Sequence, residues 1–166
     1  MSARPFLLAV CEGNICRSPL AAALLAARLP QADVRSAGLA PLTGRPADPL
    51  AAEMAEARGL SLDTHVAGPA TPALCSRADL IFVMDHAQRR ALEARHPVLR
   101  GRVFRLGEHA RALGGPHAGV DIPDPYRGTR HDFIHCAALI DLAVECWLPC
   151  LATRWPAAAP ALSVLP

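Results

Sequence analysis

Apolar residues run unbroken from Phe6 to Val10 and stop at Cys11-Glu12-Gly13-Asn14. A short continuous run of this kind, closed by turn residues, predicts a buried strand over Arg4 to Val10. Leu20 to Leu29 is rich enough in alanine and leucine to predict a helix, with Ser18 suited to cap it and Pro19 to fill its first position. Asp33 to Ala37 reads as a second strand. Asp48 to Arg58 carries helix formers between an Asp48-Pro49 start and a Gly59 stop. Residues 61 to 78 are mixed, interrupted by Pro69 and Pro72, and lead into the strongest strand pattern, Asp79 to Met84. A helix is predicted over His86 to Arg95 and a fourth strand over Arg102 to Leu106. Gly107 to Thr129, with five glycines and three prolines, reads as loop, and Asp132 to Leu151 as a closing apolar helix.

Strands alternating with helices imply parallel pairing through right-handed crossovers. The expected fold is therefore α/β, a three-layer sandwich whose parallel sheet carries helices on both faces. One domain is expected over residues 1–151, with an alanine- and proline-rich tail over 152–166 that packs weakly or frays. Ligands of such sheets bind beyond the carboxyl ends of the strands, where Cys11 stands.

Composition narrows the class. At 52% hydrophobic and 19% charged residues the chain is no disordered polymer, and no apolar run approaches the ~20 residues of a membrane span. Phe6 to Val10 is too short for a signal sequence and has no small-residue cleavage site after it. All 17 basic residues are arginines, scattered rather than striped, with a net charge of only +2, which argues against nucleic-acid binding. The six cysteines show neither CxxC spacing nor a secreted framework. Free thiols in a reducing, cytoplasmic setting are the expectation, with no metal, no membrane and no indication of oligomeric state.

Cys11 and Arg17 form a Cys-x5-Arg pattern, which short-motif statistics alone would allow by chance. Its setting gives it meaning. A strand end followed by a loop and a helix N-terminus gathers unpaired N–H groups into an anion pocket, and an arginine adds a bidentate clamp on phosphate oxygens. The same field favours thiolate over thiol at Cys11. Gly13 permits a tight backbone path and Asn14 tolerates the left-handed region. Displacing an alkoxide or phenoxide also needs a proton donor. Asp124, held extended by Pro125, is the best candidate, and Asp121 competes with it.

The chain resembles the low-molecular-weight protein tyrosine phosphatases, especially their bacterial branch. The resemblance covers about Phe6 to Trp147 and rests on Cys11-Glu12-Gly13-Asn14-Ile15-Cys16-Arg17-Ser18-Pro19, Ser36-Ala37-Gly38, Ala78 to Asp85, and Asp124-Pro125-Tyr126. It implies a four-stranded parallel sheet with a phosphate loop after the first strand, and hydrolysis of phosphotyrosine in proteins without metal or cofactor. In that scheme Cys11 forms a phosphocysteine, Arg17 and the loop N–H groups hold the transition-state oxygens, and Asp124 protonates the leaving phenolate and then activates water. The resemblance further implies that Ser18 hydrogen-bonds the thiolate, that Asn14, Ser36 and His65 brace the loop, and that Asp85 supports the site. Glu12, Gly13, Ile15, Cys16, Leu42 and Tyr126 would then line the substrate pocket. In relatives a cysteine at the Cys16 position can close a reversible disulfide with the nucleophile. Bacterial members often oppose tyrosine kinases, so a bacterial tyrosine kinase is one candidate partner.

Two positions depart from the family pattern. Glu12 stands where an apolar or small residue is usual; facing the mouth it would oppose both thiolate and dianion, and facing solvent it would do neither. Gly68 replaces a frequent arginine, which predicts a looser bracing segment.

Rival readings remain. Protein-arginine phosphatases share the scaffold but carry threonine at the position of Ile15 and phenylalanine at that of Tyr126. Thioredoxin-coupled arsenate reductases need downstream redox cysteines, and there is none between Met84 and His135. A catalytically silent phosphate-binding module is kept in view by Glu12, against Cys11, Arg17, Ser18 and Asp124.

Overall fold

A computed structural model describes residues 4–110 and 119–158. Four parallel strands, β1 (Phe6–Cys11), β2 (Asp33–Gly38), β3 (Leu80–Val83) and β4 (Val103–Arg105), form one sheet in the order β2-β1-β3-β4. The helices are α1 (Arg17–Arg28), α2 (Pro49–Glu56), α3 (Pro72–Arg77), α4 (His86–Arg95) and α5 (Arg130–Arg154). This is the predicted sandwich.

β1 is buried along its whole length because it is central and covered on both faces. Its side chains alternate between two cores. Leu7, Ala9 and Cys11 join α1, α2 and α5 through Leu25, Met54, Phe133 and Ile140. Phe6, Leu8 and Val10 join α3 and α4 through Cys75 and Leu92. At the carboxyl edge Cys11 pairs with Gly38, and Val10 lies between Ala37 and Val83.

Several boundaries differ from the sequence reading, each for a local reason. α1 begins at Arg17 rather than after a Ser18 cap, because the Ser18 hydroxyl is engaged elsewhere. The mixed stretch contains α3, capped by Thr71 accepting from the Leu74 amide. β3 is shortened at both ends by aspartates: Asp79 accepts from the Phe6 amide at 2.8 Å, and Asp85 caps α4 by accepting from Gln88 N at 2.8 Å. α5 starts earlier than predicted through a capping box between Thr129 and Asp132.

At its other end α5 runs past Leu151 to Arg154, and Trp155 packs against the core. Residues 159–166 of the predicted tail, and 111–118 of the predicted loop, lie outside the described residues. By length and composition α5 could cross a membrane, contrary to the sequence reading. Its Phe133, Cys136, Ala137, Ile140, Val144 and Trp147 form a helical stripe buried in the first core, the pattern of a core helix.

The loop before α5 is tied to the sheet. Ile122 N donates to Met84 O at 2.8 Å, and Val120 N to Gly107 O at 2.9 Å. A Cβ on Gly107 would stand 2.0 Å from the Val120 carbonyl oxygen, so only glycine permits that approach.

Candidate active site

The chain leaves β1 at Cys11, loops through residues 12–16 and enters α1 at Arg17. Cys16 occupies the N-cap position but makes no side-chain cap. The first amides of α1 are thus left unmatched by any capping side chain, an arrangement suited to an anion.

Asn14 organises the loop. It takes φ +56°, the left-handed region, which asparagine tolerates better than most residues. Its Nδ2 donates to Ser18 Oγ at 2.9 Å and to Ser36 Oγ at 3.0 Å, its Oδ1 accepts from Gly68 N at 2.9 Å, and its carbonyl oxygen lies 2.6 Å from His65 Nε2. The left-handed residue is Asn14 and not Gly13, where a Cβ would make only ordinary contacts. Glycine is required instead at Gly38, where a Cβ would meet the Glu12 carbonyl at 2.7 Å. Gly68 does not loosen the brace: its segment is held by backbone bonds, Gly38 N to Gly68 O, Ala70 N to Gly38 O and Gly44 N to Ala67 O.

Ser18 Oγ lies 3.0 Å from Cys11 Sγ and 3.4 Å from the Ala37 carbonyl. Asn14 donates to that oxygen, so the single hydroxyl proton is directed away from Asn14, toward either the sulfur at 3.0 Å or the Ala37 carbonyl at 3.4 Å, of which the sulfur is the nearer. This is why Ser18 does not cap α1.

Arg17 is 3% exposed. Its Nη1 donates to Ile122 O at 2.9 Å, its Nη2 lies 3.1 Å from Asp124 Oδ2, and Asp85 Oδ2 lies 3.6 Å from Nη1. Its Nε is buried without a hydrogen-bond partner among the described residues. A buried donor left unmatched costs about 1–3 kcal/mol, so this atom is disposed to meet an acceptor such as a phosphate oxygen.

Asp124 sits in a local turn, accepting from the Tyr126 amide at 3.2 Å. Asp121, its rival, points its carboxylate to Arg105 at 2.7 Å and does not reach the pocket of Cys11. That pocket, about 130 Å³, has Cys11 and Arg17 at its base, Ile15, Ala40, Leu42 and Tyr126 as apolar walls, and Glu12 and Asp124 beside them. All the residues predicted to line it are there. Asn14, Ser18, Ser36 and His65 lie behind the loop and Asp85 beside Arg17.

The sequence of the whole domain matches the family described as "Low molecular weight phosphotyrosine protein phosphatase" over residues 7–155. The chain belongs to this family. It is 46% identical over 143 residues to a "Probable low molecular weight protein-tyrosine-phosphatase EpsP" of Ralstonia solanacearum, covering 86% of this chain and 93% of that one. Among solved phosphatase structures it is similar to Vibrio vulnificus Wzb in complex with benzylphosphonate, with TM-score 0.77 and 39% identity over 86% of this chain and 96% of the other. It is also similar to the YwlE arginine phosphatase from Geobacillus stearothermophilus, with TM-score 0.80 but 25% identity, covering 95% and 99%.

Two further cysteines near this phosphatase site are buried. Burial, then the nearby Asp48 carboxylate and Cys11, push the Cys16 thiol far up; burial lifts Cys136 to about 12, against the Arg17 charge. All six cysteines are free.

Sequence reasoning missed the Ile122 carbonyl, which no side-chain pattern could reveal, and Arg105. The latter had a faint signal: an arginine at the end of a predicted strand, where the sheet presents its functional edge.

Proposed function

We propose that this phosphatase hydrolyses phosphotyrosine in proteins through a phosphocysteine, with Cys11 as nucleophile and Asp124 as general acid and base. The observation that carries this reading is the meeting of Cys11, Arg17 and Asp124 around one pocket of about 130 Å³.

In the first step the Cys11 thiolate forms an S–P bond while the P–O bond to the tyrosyl oxygen breaks, and Asp124 gives that oxygen its proton. Arg17, with its unmatched Nε and the loop amides, carries charge on the phosphoryl oxygens. In the second step the Asp124 carboxylate takes a proton from water, the water oxygen bonds phosphorus, and the S–P bond breaks. Phosphate leaves and the thiolate returns to the Ser18 hydroxyl. Asn14, Ser36 and His65 hold the loop in the shape that keeps its amides converging, and Asp85 steadies Arg17.

The apolar walls suit a flat aromatic ester. Ile15 and Tyr126 oppose the arginine-phosphatase reading, in which threonine and phenylalanine stand at those positions. The partner is then a phosphotyrosine protein, with a bacterial tyrosine kinase as one candidate, and the free thiols fit a cytoplasmic setting.

The test is hydrolysis of phosphotyrosine, phosphoserine and phosphoarginine peptides in the presence of chelator. Phosphotyrosine alone should turn over, Cys11→Ser should abolish turnover, and rapid quench should trap a phosphorylated Cys11 in the active enzyme. A preference for phosphoarginine, or full activity in Cys11→Ser, refutes the reading.

A further inference from the structure

A second cavity, about 520 Å³, adjoins the reaction pocket and shares Glu12, Arg17 and Asp124 with it. From that shared wall it extends along α4. Ala87, Ala91 and Arg95 recur at four-residue spacing, so they line one side of the cavity over about 12 Å of helix. A ligand whose phosphate meets Arg17 Nε therefore has the rest of its chain beside this cavity.

Its charges are unevenly committed. Asp85 caps α4 and faces Arg17, Asp121 is paired with Arg105, and Asp124 lies against Arg17. Glu12 is different. It is exposed, it directly follows Cys11, and its carboxylate has no ion-pair or hydrogen-bond partner among the described residues. The cation of Arg95 lies at the other end of the helical stripe, and the floor between is the small apolar surface of Leu39, Ala87 and Ala91.

We infer that this cavity is a substrate subsite in which Glu12 selects phosphotyrosine segments carrying a basic side chain next to the phosphotyrosine. The inference rests on the phosphotyrosine reading above. An unpaired carboxylate at the mouth repels the incoming dianion, and an adjacent lysine or arginine on the substrate neutralises it. The aliphatic stem of such a side chain suits the Leu39, Ala87 and Ala91 floor while its charged head meets Glu12. An acidic flank meets two repulsions instead, its own with Glu12 and that of Glu12 with the phosphate. Selection thus operates by penalty as well as by attraction. Arg95 reserves the outer end for a group of opposite sign, which leaves the Glu12 end to the cation.

The experiment uses three phosphotyrosine peptides that differ only at the residue next to phosphotyrosine: arginine, alanine or glutamate. kcat/KM is compared within each enzyme form, so that a general change in turnover cancels. The enzyme should favour arginine over alanine by about two- to fivefold, the size of an exposed ion pair, and alanine over glutamate by a similar factor. Both ratios should shrink toward one near 1 M salt, where screening acts over about 3 Å. Glu12→Gln should flatten the series and Glu12→Arg should invert it. Equal rates for the three peptides in the native enzyme, or a series unchanged in Glu12→Arg, overturns the inference. Calorimetric binding of the same peptides to Cys11→Ser reads the same preference without turnover. If no peptide is hydrolysed, the catalytic reading fails while the subsite is still judged on this binding series.

Discussion

Arg17 Nη2 and Asp124 Oδ2 lie 3.1 Å apart, which makes the carboxylate proposed as acid and base also a competitor for the arginine proposed to clamp phosphate. A dianion entering the pocket must share or displace that partner. Asp124→Asn keeps the shape and removes the competition. It should lower kcat on phosphotyrosine by roughly 10²- to 10⁴-fold while tightening binding of inorganic phosphate. Steady-state kinetics with phosphate as inhibitor checks both; weaker phosphate binding would contradict the account.

Ser18 Oγ lies 3.0 Å from Cys11 Sγ, and toward a thiolate, which can only accept, the hydroxyl is the donor. A hydrogen bond to a charged group contributes about 1.5–3 kcal/mol, so Ser18→Ala should slow breakdown of the phosphocysteine about ten- to hundredfold. The thiolate is the leaving group of that second step, so the intermediate should accumulate. Burst kinetics with an aryl phosphate would reveal it.

Asn14 combines a left-handed backbone with side-chain bonds to Ser18, Ser36 and Gly68. Asn14→Ala leaves donors and acceptors behind the loop unmatched and loses the residue best suited to its φ. A stability loss of about 1–3 kcal/mol is expected in urea unfolding, together with a fall in kcat/KM. Asn14→Gly should restore the backbone but not the bonds, separating the two contributions.

Arg105 holds Asp121 at 2.7 Å, close in sequence to the carboxylate that faces Cys11. Arg105→Met frees that end of the loop. kcat should fall most for substrates with poor leaving groups, which depend on a positioned acid, and least for p-nitrophenyl phosphate. Equal losses across a leaving-group series would show that Arg105 does not act through Asp124.

Burial keeps Cys16 protonated well above neutral pH. If peroxide converts Cys11 to a sulfenic acid, closure of a Cys11–Cys16 disulfide requires the Cys16 thiolate, with loss of hydroxide from Cys11. The thiolate fraction rises with pH, so the share of activity recoverable by reductant after peroxide should rise from pH 7 to pH 9. Cys16→Ser should abolish that rise. Peptide mapping of the disulfide provides the direct check.

Much of this site could be read from the chain because its chemistry is local. Residues 11 to 18 carry the proposed nucleophile, the proposed clamp and the hydroxyl beside the sulfur within one strand–loop–helix unit, and the proline after Asp124 points to an aimed carboxylate. What escaped were relationships made by the fold. Ser18 has the composition of a cap, and only the placement of Asn14 and Cys11 shows its hydroxyl to be occupied. Asp124 is the better candidate in the sequence, but Asp121 competes with it until Arg105, brought in by β4, engages Asp121. Gly68 looks like a weakness when an arginine side chain is expected, because backbone bonds to Gly38 leave no trace in residue type. The early start of α5 is not legible in the apolar stripe because Thr129 and Asp132 form their capping box ahead of it.

Cys11 is the last residue of a strand whose Leu7, Ala9 and Cys11 all face the layer built by α1 and α5. The sulfur proposed to react therefore shares its packing with the interior, and its position depends on how well that interior is filled. Trimming a distant member of the same layer, such as Ile140 on α5, should be felt at phosphorus as a slower reaction before any loss of secondary structure is seen. Turnover of the Ile140→Ala variant, measured beside its circular dichroism, would then serve as a gauge of core order.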